Sequence, residues 1–310
     1  MTFPQRPTSR RTVLTAFAAA ATAGAPVLGQ LAAAAPAAAA TAVGPVEPEE
    51  YLTNTALYKD PKLVEGTSYG RRWRRHAWTD SKLSEKADYP RTAILALHGG
   101  GIEIGTSELA LGIAGYDPGN IAPLDKPLSL PTYDYFLFEG LLSTGNKALH
   151  VTSRNCDDHI ALSLAGSHLN VLSLHGCQYD QLGMPEPLIW PPSNDPRLAV
   201  VGGLNAEFRA ALVYEIGKAG FPVVDAFDPT YVARLANFNG SHVTNPCNLT
   251  MLGKGAQIEM TTELRQSLFG NYSTRGDRAT SWKESNGQFE AFRDACRRAI
   301  ATVEAGQPIL

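Results

Sequence analysis

The chain lacks a surplus of positive charge, a pair of closely spaced cysteines and, past residue 40, a long apolar run. It holds 27 basic and 30 acidic residues, a net charge of −3, whereas nucleic-acid-binding proteins usually carry a basic surplus. The four cysteines contain no C-x-x-C pair, which excludes a zinc ribbon. No apolar run after residue 40 reaches the roughly 18 residues of a transmembrane helix. We therefore expect neither a nucleic-acid partner nor a membrane-spanning body.

Strong disorder is also excluded. Charged residues make up 18% of the chain and hydrophobic residues 44%, so enough apolar surface is available to build a core. A length of 310 residues suits one large domain or two. Because no internal repeat and no linker follows residue 60, we expect one domain, and we expect it to be a monomer.

The N-terminal 40 residues have the pattern of a bacterial export signal. They contain three arginines, no acidic residue, an alanine-rich stretch and small residues at 38–40. The string SRRTVL at 9–14 indicates the twin-arginine type; a disordered alanine-rich tail is the alternative. Removing these 40 residues and three arginines from a chain of 310 residues and net charge −3 would leave 270 residues and a net charge of −6. We expect a secreted protein with a loose leader over 41–60 and a folded domain over 61–310.

The cysteines leave two possibilities open. An even number in an exported protein permits two disulfides in any of three connectivities, and free buried thiols are the alternative. All of them lie after the export signal, at Cys156, Cys177, Cys247 and Cys296.

Apolar runs and helical periodicity alternate along the chain, which predicts an α/β sheet between layers of helices. Two Pro- and Gly-containing segments, 116–133 and 178–199, are predicted loops. The predicted strands are 92–97, 134–138, 148–152, 169–174, 221–225 and 256–260, and the predicted helices are 107–114, 157–165, 206–218 and 288–304.

Two of the predicted strands end in a histidine followed by glycine, at His98 and His175. Ligands of open α/β sheets bind at the carboxyl ends of strands, so the two histidines are expected to face one site. Three glycines after His98 allow a tight turn that returns Glu103 to its side. Two histidines and a glutamate form a catalytic zinc set. For each residue taken singly there is an alternative without a metal: a hydrogen-bonded histidine of the core for His98 or His175, and a helix-capping glutamate for Glu103.

Glu259 and Arg265 are further candidates for the same site. Glu259 lies in the apolar strand AQIEM, where a carboxylate is costly to bury without a partner, and it is a candidate general base. Arg265 is a candidate for binding a substrate carboxylate. A solvated strand face and a surface helix, respectively, are the alternatives. The basic run at 71–75 is either a solvated face or an attractor of an anionic substrate.

Two other classes of function compete with a zinc enzyme. His98 and the three glycines after it also match the oxyanion-hole loop of lipases and esterases, which requires a G-x-S-x-G motif further along the chain. The one such motif surrounds Ser68, lies upstream and lacks the strand–turn–helix context. A serine esterase is therefore weakly supported, and a non-catalytic exported binding protein is the other alternative.

Several strings occur in an order that resembles the poly-gamma-glutamate hydrolase family first known from bacteriophages of capsulated bacilli. The resemblance covers roughly residues 60–270 and implies a mixed, mostly parallel sheet flanked by helices, as in zinc carboxypeptidases. It also implies one zinc ion per chain and cleavage of amide bonds to the γ-carboxyl of glutamate. The strings are LHGGGIEIGTSELA (97–110), YFLFEG (135–140), ALHVTS (148–153), SLHGC (173–177), and NPCN and GKGAQIEM within 245–260.

The resemblance also assigns roles to single residues. It places the metal ligands at His98, Glu103 and His175 and the catalytic carboxylate at Glu259. His150, within the string ALHVTS, contacts substrate or only packs. Cys177 and Cys247 both lie in strings shared with the family, so the resemblance is compatible with a disulfide or a close approach between them.

An anionic glutamate polymer needs local positive charge on a chain that is acidic overall. The candidate substrate-binding residues are Arg265, Arg154 and Lys254, with the arginines of 71–75 and the dication itself. The chain departs from the phage pattern in its export signal, its two inserted loops and the string DDH at 157–159. These departures leave open a substrate other than poly-gamma-glutamate.

Overall fold

A computed structural model describes residues 49–76, 90–119, 127–129, 131–184 and 196–307. These residues form a seven-stranded mixed sheet in the order β1-β3-β2-β4-β7-β5-β6. The central strands β3, β2, β4 and β7 are parallel, β1 is antiparallel to β3, and β5 is antiparallel to β7 but parallel to β6. The strands are β1 Tyr69–Arg74, β2 Thr92–Gly100, β3 Asp134–Gly140, β4 Asn170–Cys177, β5 Ala199–Gly202, β6 Val223–Asp225 and β7 Ala256–Thr261.

Helices cover both faces of the sheet. The largest apolar cluster packs α2, α4 and α7 on one face, and a second cluster includes α1 and α3 on the other. Alternate side chains of β2, such as Ile94 and Leu95, enter opposite clusters, as the two-residue period of a strand requires. The helices are α1 Asn54–Tyr58, α2 Thr106–Ala114, α3 His159–Gly166, α4 Ala206–Lys218, α5 Thr262–Ser267, α6 Arg275–Ser281 and α7 Gln288–Ala305.

The predicted strand at 148–152 is wrong. Residues Asn146–Leu149 form a 3₁₀ turn instead, and His150 begins an extended segment that joins no strand. The carbonyl oxygen of Val151 accepts a hydrogen bond from the ring of His98 rather than from a neighbouring strand. The carbonyl of Val151 is therefore paired with the side chain of His98 instead of with the backbone of a neighbouring strand.

Two strands were not predicted from the sequence. The basic run at 71–75 falls largely in β1, an edge strand whose Arg72 forms a bidentate ion pair with Glu139. The apolar run of β5 is too short to stand out beside a Pro-rich loop. The other predicted strands and helices are confirmed with shifted ends. Asn205 caps α4 as predicted, because its side chain accepts from the amide of Phe208.

The segment predicted as a loose leader is packed over the part that the structure describes, 49–60. Leu57 is fully buried, and the hydroxyl of Tyr58 donates to Asp158 at 2.6 Å. The amide of Thr55 donates to Asp157 at 2.8 Å. The predicted export signal at 1–40, residues 41–48, and residues 120–126, 130 and 185–195 of the predicted loops lie outside the described residues.

All four cysteines are free thiols, and three of them are buried. Of the two possibilities that the sequence left open, the structure therefore has unpaired cysteines. None of the helices in the described part of the chain is long and apolar enough to cross a membrane.

Candidate metal centre

A tight turn after β2 places Glu103 beside His98. Gly100 has a φ of +64°, a conformation that favours glycine. A side chain at Gly99 would meet Oγ of Ser107 at 2.0 Å, so only glycine fits there. The amide of Glu103 then donates to the carbonyl of His98 at 2.7 Å, which closes the turn. The glycines therefore have the role that the sequence predicted for them.

Three buried side chains meet at the carboxyl ends of β2 and β4. We call His98, Glu103 and His175 the carboxyl-edge cluster. Nδ1 of His98 lies 3.0 Å from Oε1 of Glu103 and 3.2 Å from Nδ1 of His175. Nδ1 of His175 lies 3.7 Å from Oε2 of Glu103, which also accepts from the amide of Gly176 at 2.9 Å. The two Nδ1 atoms thus face each other, and the carboxylate of Glu103 directs one oxygen towards each ring.

The outer ring nitrogens of both histidines have partners of their own. Nε2 of His98 donates to the carbonyl of Val151 at 2.7 Å, so a neutral ring keeps an unshared electron pair on Nδ1. Nε2 of His175 lies 2.8 Å from the hydroxyl of Ser173, which can accept from this nitrogen when Nδ1 binds a metal. Such outer contacts are the usual means of orienting histidines that bind a metal.

The donor set fits a zinc ion. Electron pairs of two nitrogens and a carboxylate that converge within 3.7 Å repel one another unless a positive charge lies between them. Tetrahedral zinc with nitrogen and oxygen ligands separates those ligands by about 3.3 Å. The two Nδ1 atoms are 3.2 Å apart, and the nearest carboxylate oxygens of Glu103 lie 3.0 Å from His98 and 3.7 Å from His175.

His150 borders the same point. Its Nε2 lies 3.5 Å from Oε1 of Glu103, and its ring centroid lies 4.0 Å from that of His98. His98, Glu103 and His150 also form a set with the spacing of metal ligands, so the structure presents two histidines, His175 and His150, beside the first two ligands. We favour His175 as the third ligand because it is buried and its Nδ1 is 3.2 Å from that of His98, whereas His150 is partly exposed.

The charges of the cluster follow from this packing. Burial lowers the pKa of His98. Burial would raise the pKa of Glu103, but His98, His150 and His175 hold it well below its ordinary value. Burial would lower the pKa of His150, yet contacts with Glu103 and Glu49 raise it to about 10. Glu103 is therefore an anion among histidines, as a ligand to a dication should be.

Glu259 faces this cluster from the neighbouring strand. It pairs in register with His175, so the two side chains lie on the same face of the sheet. Burial raises the pKa of Glu259 to about 7, although His175 acts in the opposite direction. Nε2 of Gln257 donates to Oε1 of Glu259 at 3.1 Å, and Oε1 of Gln257 accepts from Asn245 at 2.9 Å. Glu259 is thus a half-buried carboxylate held through one oxygen.

Arg265 lies beside the cluster, but its guanidinium is already used. It is buried, and its five N–H groups face five protein oxygens. In this arrangement no donor remains for a substrate carboxylate, and the geometry gives Arg265 a role in holding the chain around the site. The acceptors are the carbonyls of Met260, Ile104 and Cys177 and the hydroxyls of Tyr272 and Thr262.

The remaining predicted substrate-binding residues lie apart from these contacts. Arg154 is exposed on the 3₁₀ turn after Val151, and Lys254 precedes β7. Among the described residues, no hydrogen bond or ion pair joins either side chain to the carboxyl-edge cluster. Their roles stay predictions. Ser68, the candidate of the esterase alternative, is buried in the turn before β1, where its hydroxyl accepts from the amide of Val64 at 3.0 Å.

Three residues around the site were missed by sequence reasoning. Ser173 and Gln257 precede His175 and Glu259 by two residues, the spacing that keeps side chains on one face of a strand. That spacing is a signal that could have found both. Glu49 contacts His150 from a distant part of the chain, and no local pattern points to it.

Comparison with known proteins gives relatives in one family. A sequence model of the family described as poly-gamma-glutamate hydrolase matches residues 74–295. The UPF0714 protein YndL of Bacillus subtilis (strain 168) is 34% identical over 211 residues, 67% of this chain and 66% of YndL. The SPbeta prophage-derived UPF0714 protein YoqZ of the same strain is 31% identical over 190 residues, 61% of this chain and 56% of YoqZ. The chain thus spans less than two thirds of the length of each of these relatives.

Solved structures share the fold. The structure of a bacteriophage poly-gamma-glutamate hydrolase matches with a TM-score of 0.61 and 24% identity, over 84% of this chain and 100% of that chain. A structure of YndL described as zinc-free matches with a TM-score of 0.59 and 29% identity, over 83% of this chain and 99% of that chain. The predicted fold, a single domain with a mixed, mostly parallel sheet flanked by helices, is confirmed.

Proposed function

The chain belongs to the poly-gamma-glutamate hydrolase family, and from that premise we propose that it is a zinc-dependent hydrolase that cleaves γ-glutamyl amide bonds of poly-gamma-glutamate. The observation that carries the zinc proposal is the convergence of two Nδ1 atoms and one carboxylate within 3.7 Å, with Glu259 on the adjacent strand. A YndL structure described as zinc-free adds support from a relative.

His98, Glu103 and His175 would hold the zinc ion. When bound, zinc supplies Lewis acidity that polarises the scissile carbonyl and makes water a better nucleophile. Val151 and Ser173 keep the two rings oriented. The carbonyl of Val151 accepts from Nε2 of His98, and the hydroxyl of Ser173 is hydrogen-bonded to Nε2 of His175. The buried setting of the cluster strengthens these interactions by excluding water.

Glu259 would move the proton. Gln257 holds Oε1 of this carboxylate, which leaves Oε2 to take a proton from the attacking water and to deliver it to the leaving amine. Both transfers involve one oxygen on a side chain that faces His175 across the strand pair. The step needs no other acid or base, and Arg265 contributes by fixing the chain on both sides of the cluster.

The substrate proposal rests on the family. A γ-linked glutamate polymer carries one free carboxylate per unit, so binding requires positive charge near the cluster. His150, with Nε2 facing Glu103, is the cation that the geometry places there; Arg154 and Lys254 are further candidates. We also propose secretion by the twin-arginine route, which rests on the arginine pair and alanine-rich stretch of residues 1–40.

Incubation of purified protein with poly-gamma-glutamate tests the proposal, with polymer length followed by size-exclusion chromatography. We expect the zinc-loaded protein to shorten the polymer, a chelator to stop it and added zinc to restore it. Glu259→Gln should retain zinc and leave the polymer intact, whereas Glu207→Gln, an exposed glutamate on α4, should behave as wild type. Cleavage that persists in the chelated protein would contradict the zinc proposal.

A further inference from the structure

Glu49 brings a second carboxylate to the ring of His150. Its Oε1 accepts from Nδ1 of His150 at 2.9 Å and from the hydroxyl of Thr152 at 2.6 Å. The opposite ring nitrogen, Nε2, lies 3.5 Å from Oε1 of Glu103. His150 is therefore held between a carboxylate of the carboxyl-edge cluster and one from outside it.

Glu49 comes from a part of the chain that the family match does not include. That match begins at residue 74, whereas the segment 49–60 precedes it and packs on the domain. Tyr58 and Thr55 anchor the segment to Asp158 and Asp157, and Leu57 is fully buried. The segment is thus fixed on the domain and brings one side chain to the edge of the site.

We propose that Glu49 is a positioning residue: its carboxylate holds the Nδ1–H of His150 and so keeps Nε2 turned towards Glu103 and the substrate. This inference rests on the proposed function, because it assigns His150 a part in handling the γ-glutamyl substrate. A histidine that donates one ring N–H to a carboxylate has a fixed orientation and tautomer. Thr152 in turn fixes that carboxylate by donating to the same oxygen.

The contact has a second physical interpretation. A glutamate carboxylate on His150 also imitates a carboxylate of a glutamate polymer, and in that case Glu49 would obstruct substrate binding. The anchoring of the segment by Tyr58, Thr55 and Leu57 argues for a permanent part of the site over an exchangeable occupant. The two interpretations predict opposite effects when the carboxylate is removed.

Glu49→Ala tests the proposal in the zinc-loaded enzyme, with Glu50→Ala, its exposed neighbour, as the matched control. We expect kcat/KM to fall about 10- to 100-fold with a raised KM, because a His150 that has lost its orienting carboxylate presents its charge less well to the substrate carboxylate. Glu49→Gln keeps a hydrogen-bond acceptor and should retain more activity. Glu50→Ala should leave both constants unchanged.

A second readout does not depend on activity. In the metal-free protein labelled with ¹⁵N, histidine ring spectra should show a protected Nδ1 proton on His150 in the wild type and in Glu50→Ala, and its loss in Glu49→Ala. An unchanged ring spectrum, an unchanged kcat/KM, or a lower KM in Glu49→Ala would overturn the proposal. A wild-type enzyme that leaves poly-gamma-glutamate intact would instead contradict the proposed function, and the ring spectra would still decide on the contact.

Discussion

Two groups of histidines and carboxylates lie at opposite edges of the same sheet. One is the carboxyl-edge cluster of His98, Glu103 and His175. The second, which we call the amino-edge cluster, consists of His76, Asp134 and His168. Asp134 opens β3, His168 precedes β4, and His76 follows β1, which runs antiparallel to β3. The two clusters share residue types and differ in how the ring nitrogens are used.

In the amino-edge cluster every ring nitrogen has its own partner. His76 bonds Asp134 through Nδ1 and the hydroxyl of Tyr116 through Nε2. Nδ1 of His168 lies 2.6 Å from the carbonyl of Leu164, and its Nε2 lies 3.2 Å from Oδ2 of Asp134. Each histidine faces a different oxygen of Asp134 through one ring nitrogen and has a separate partner for the other, so this group stabilises the fold. A histidine–carboxylate group is a metal candidate only when its electron pairs meet at one point.

The largest difference is expected when one histidine is removed from the carboxyl edge. His98→Ala should lower kcat about 10³-fold or more, because the Lewis acidity it helps to hold is worth several kcal/mol of barrier. In the metal-free protein, His98→Ala should lower the free energy of unfolding less than a substitution in the amino-edge cluster does. The reason is that the substitution also removes the repulsion between the electron pairs of His98, Glu103 and His175. Parallel kinetics and denaturant titrations would check this, and full activity in His98→Ala would break the comparison.

The reverse pattern is expected at the amino edge. Asp134→Asn removes a fully buried carboxylate between two histidines, and breaking such a buried pair costs about 3–5 kcal/mol of folding free energy. Activity per folded molecule should remain close to wild type. Urea unfolding together with a cleavage assay separates the two quantities. Loss of zinc from the folded variant would mean that the amino-edge cluster also serves the site.

A smaller effect is expected from the side chain that holds Glu259. Gln257→Leu removes the donor to Oε1 of Glu259, and a hydrogen bond to a charged group is worth about 1.5–3 kcal/mol, or roughly 10- to 100-fold in kcat. Gln266→Leu, an exposed glutamine on α5, is the control. A loss of zinc in Gln257→Leu, with an intact catalytic step after reloading, would assign Gln257 to the metal instead.

The smallest effect concerns acid. Contacts with His168 and His76 lower the pKa of Asp134, although its burial acts to raise it. The unfolded chain therefore takes up this proton more readily than the folded one, and the stabilisation is complete above about pH 5 and declines as the pH falls further. The difference in unfolding free energy between wild type and Asp134→Asn should shrink from about pH 5 to about pH 3. A constant difference would show that Asp134 does not titrate in this range.

Much of this arrangement could be predicted because it is local. A short stretch of sequence is enough to recognise the apolar strands that end in His98 and His175. The same is true of the glycines that turn the chain so that Glu103 lies beside His98. The strand predicted at 148–152 failed because Val151 gives its carbonyl to His98, a contact between distant segments. The contact of Glu49 with His150 was invisible for the same reason.

The interpretation of Arg265 was limited in a different way. Arg265 lies six residues after Glu259, and this spacing predicts a position near the cluster. The direction of the guanidinium depends instead on the oxygens that surround it. Carbonyls of Ile104 and Cys177, from two other segments, take up donors that the sequence offered to a substrate. The sequence could predict that Arg265 lies near the cluster, but not whether its N–H groups are free to bind a substrate.

Zinc content measured after equilibrium dialysis tests the central claim most directly. We expect about one zinc ion per chain in the wild type and in Asp134→Asn, and loss of that ion in His98→Ala and His175→Ala. Circular dichroism would confirm that all four proteins are folded. Zinc that remains bound in both histidine variants, or that is absent from the wild type after loading, would contradict it.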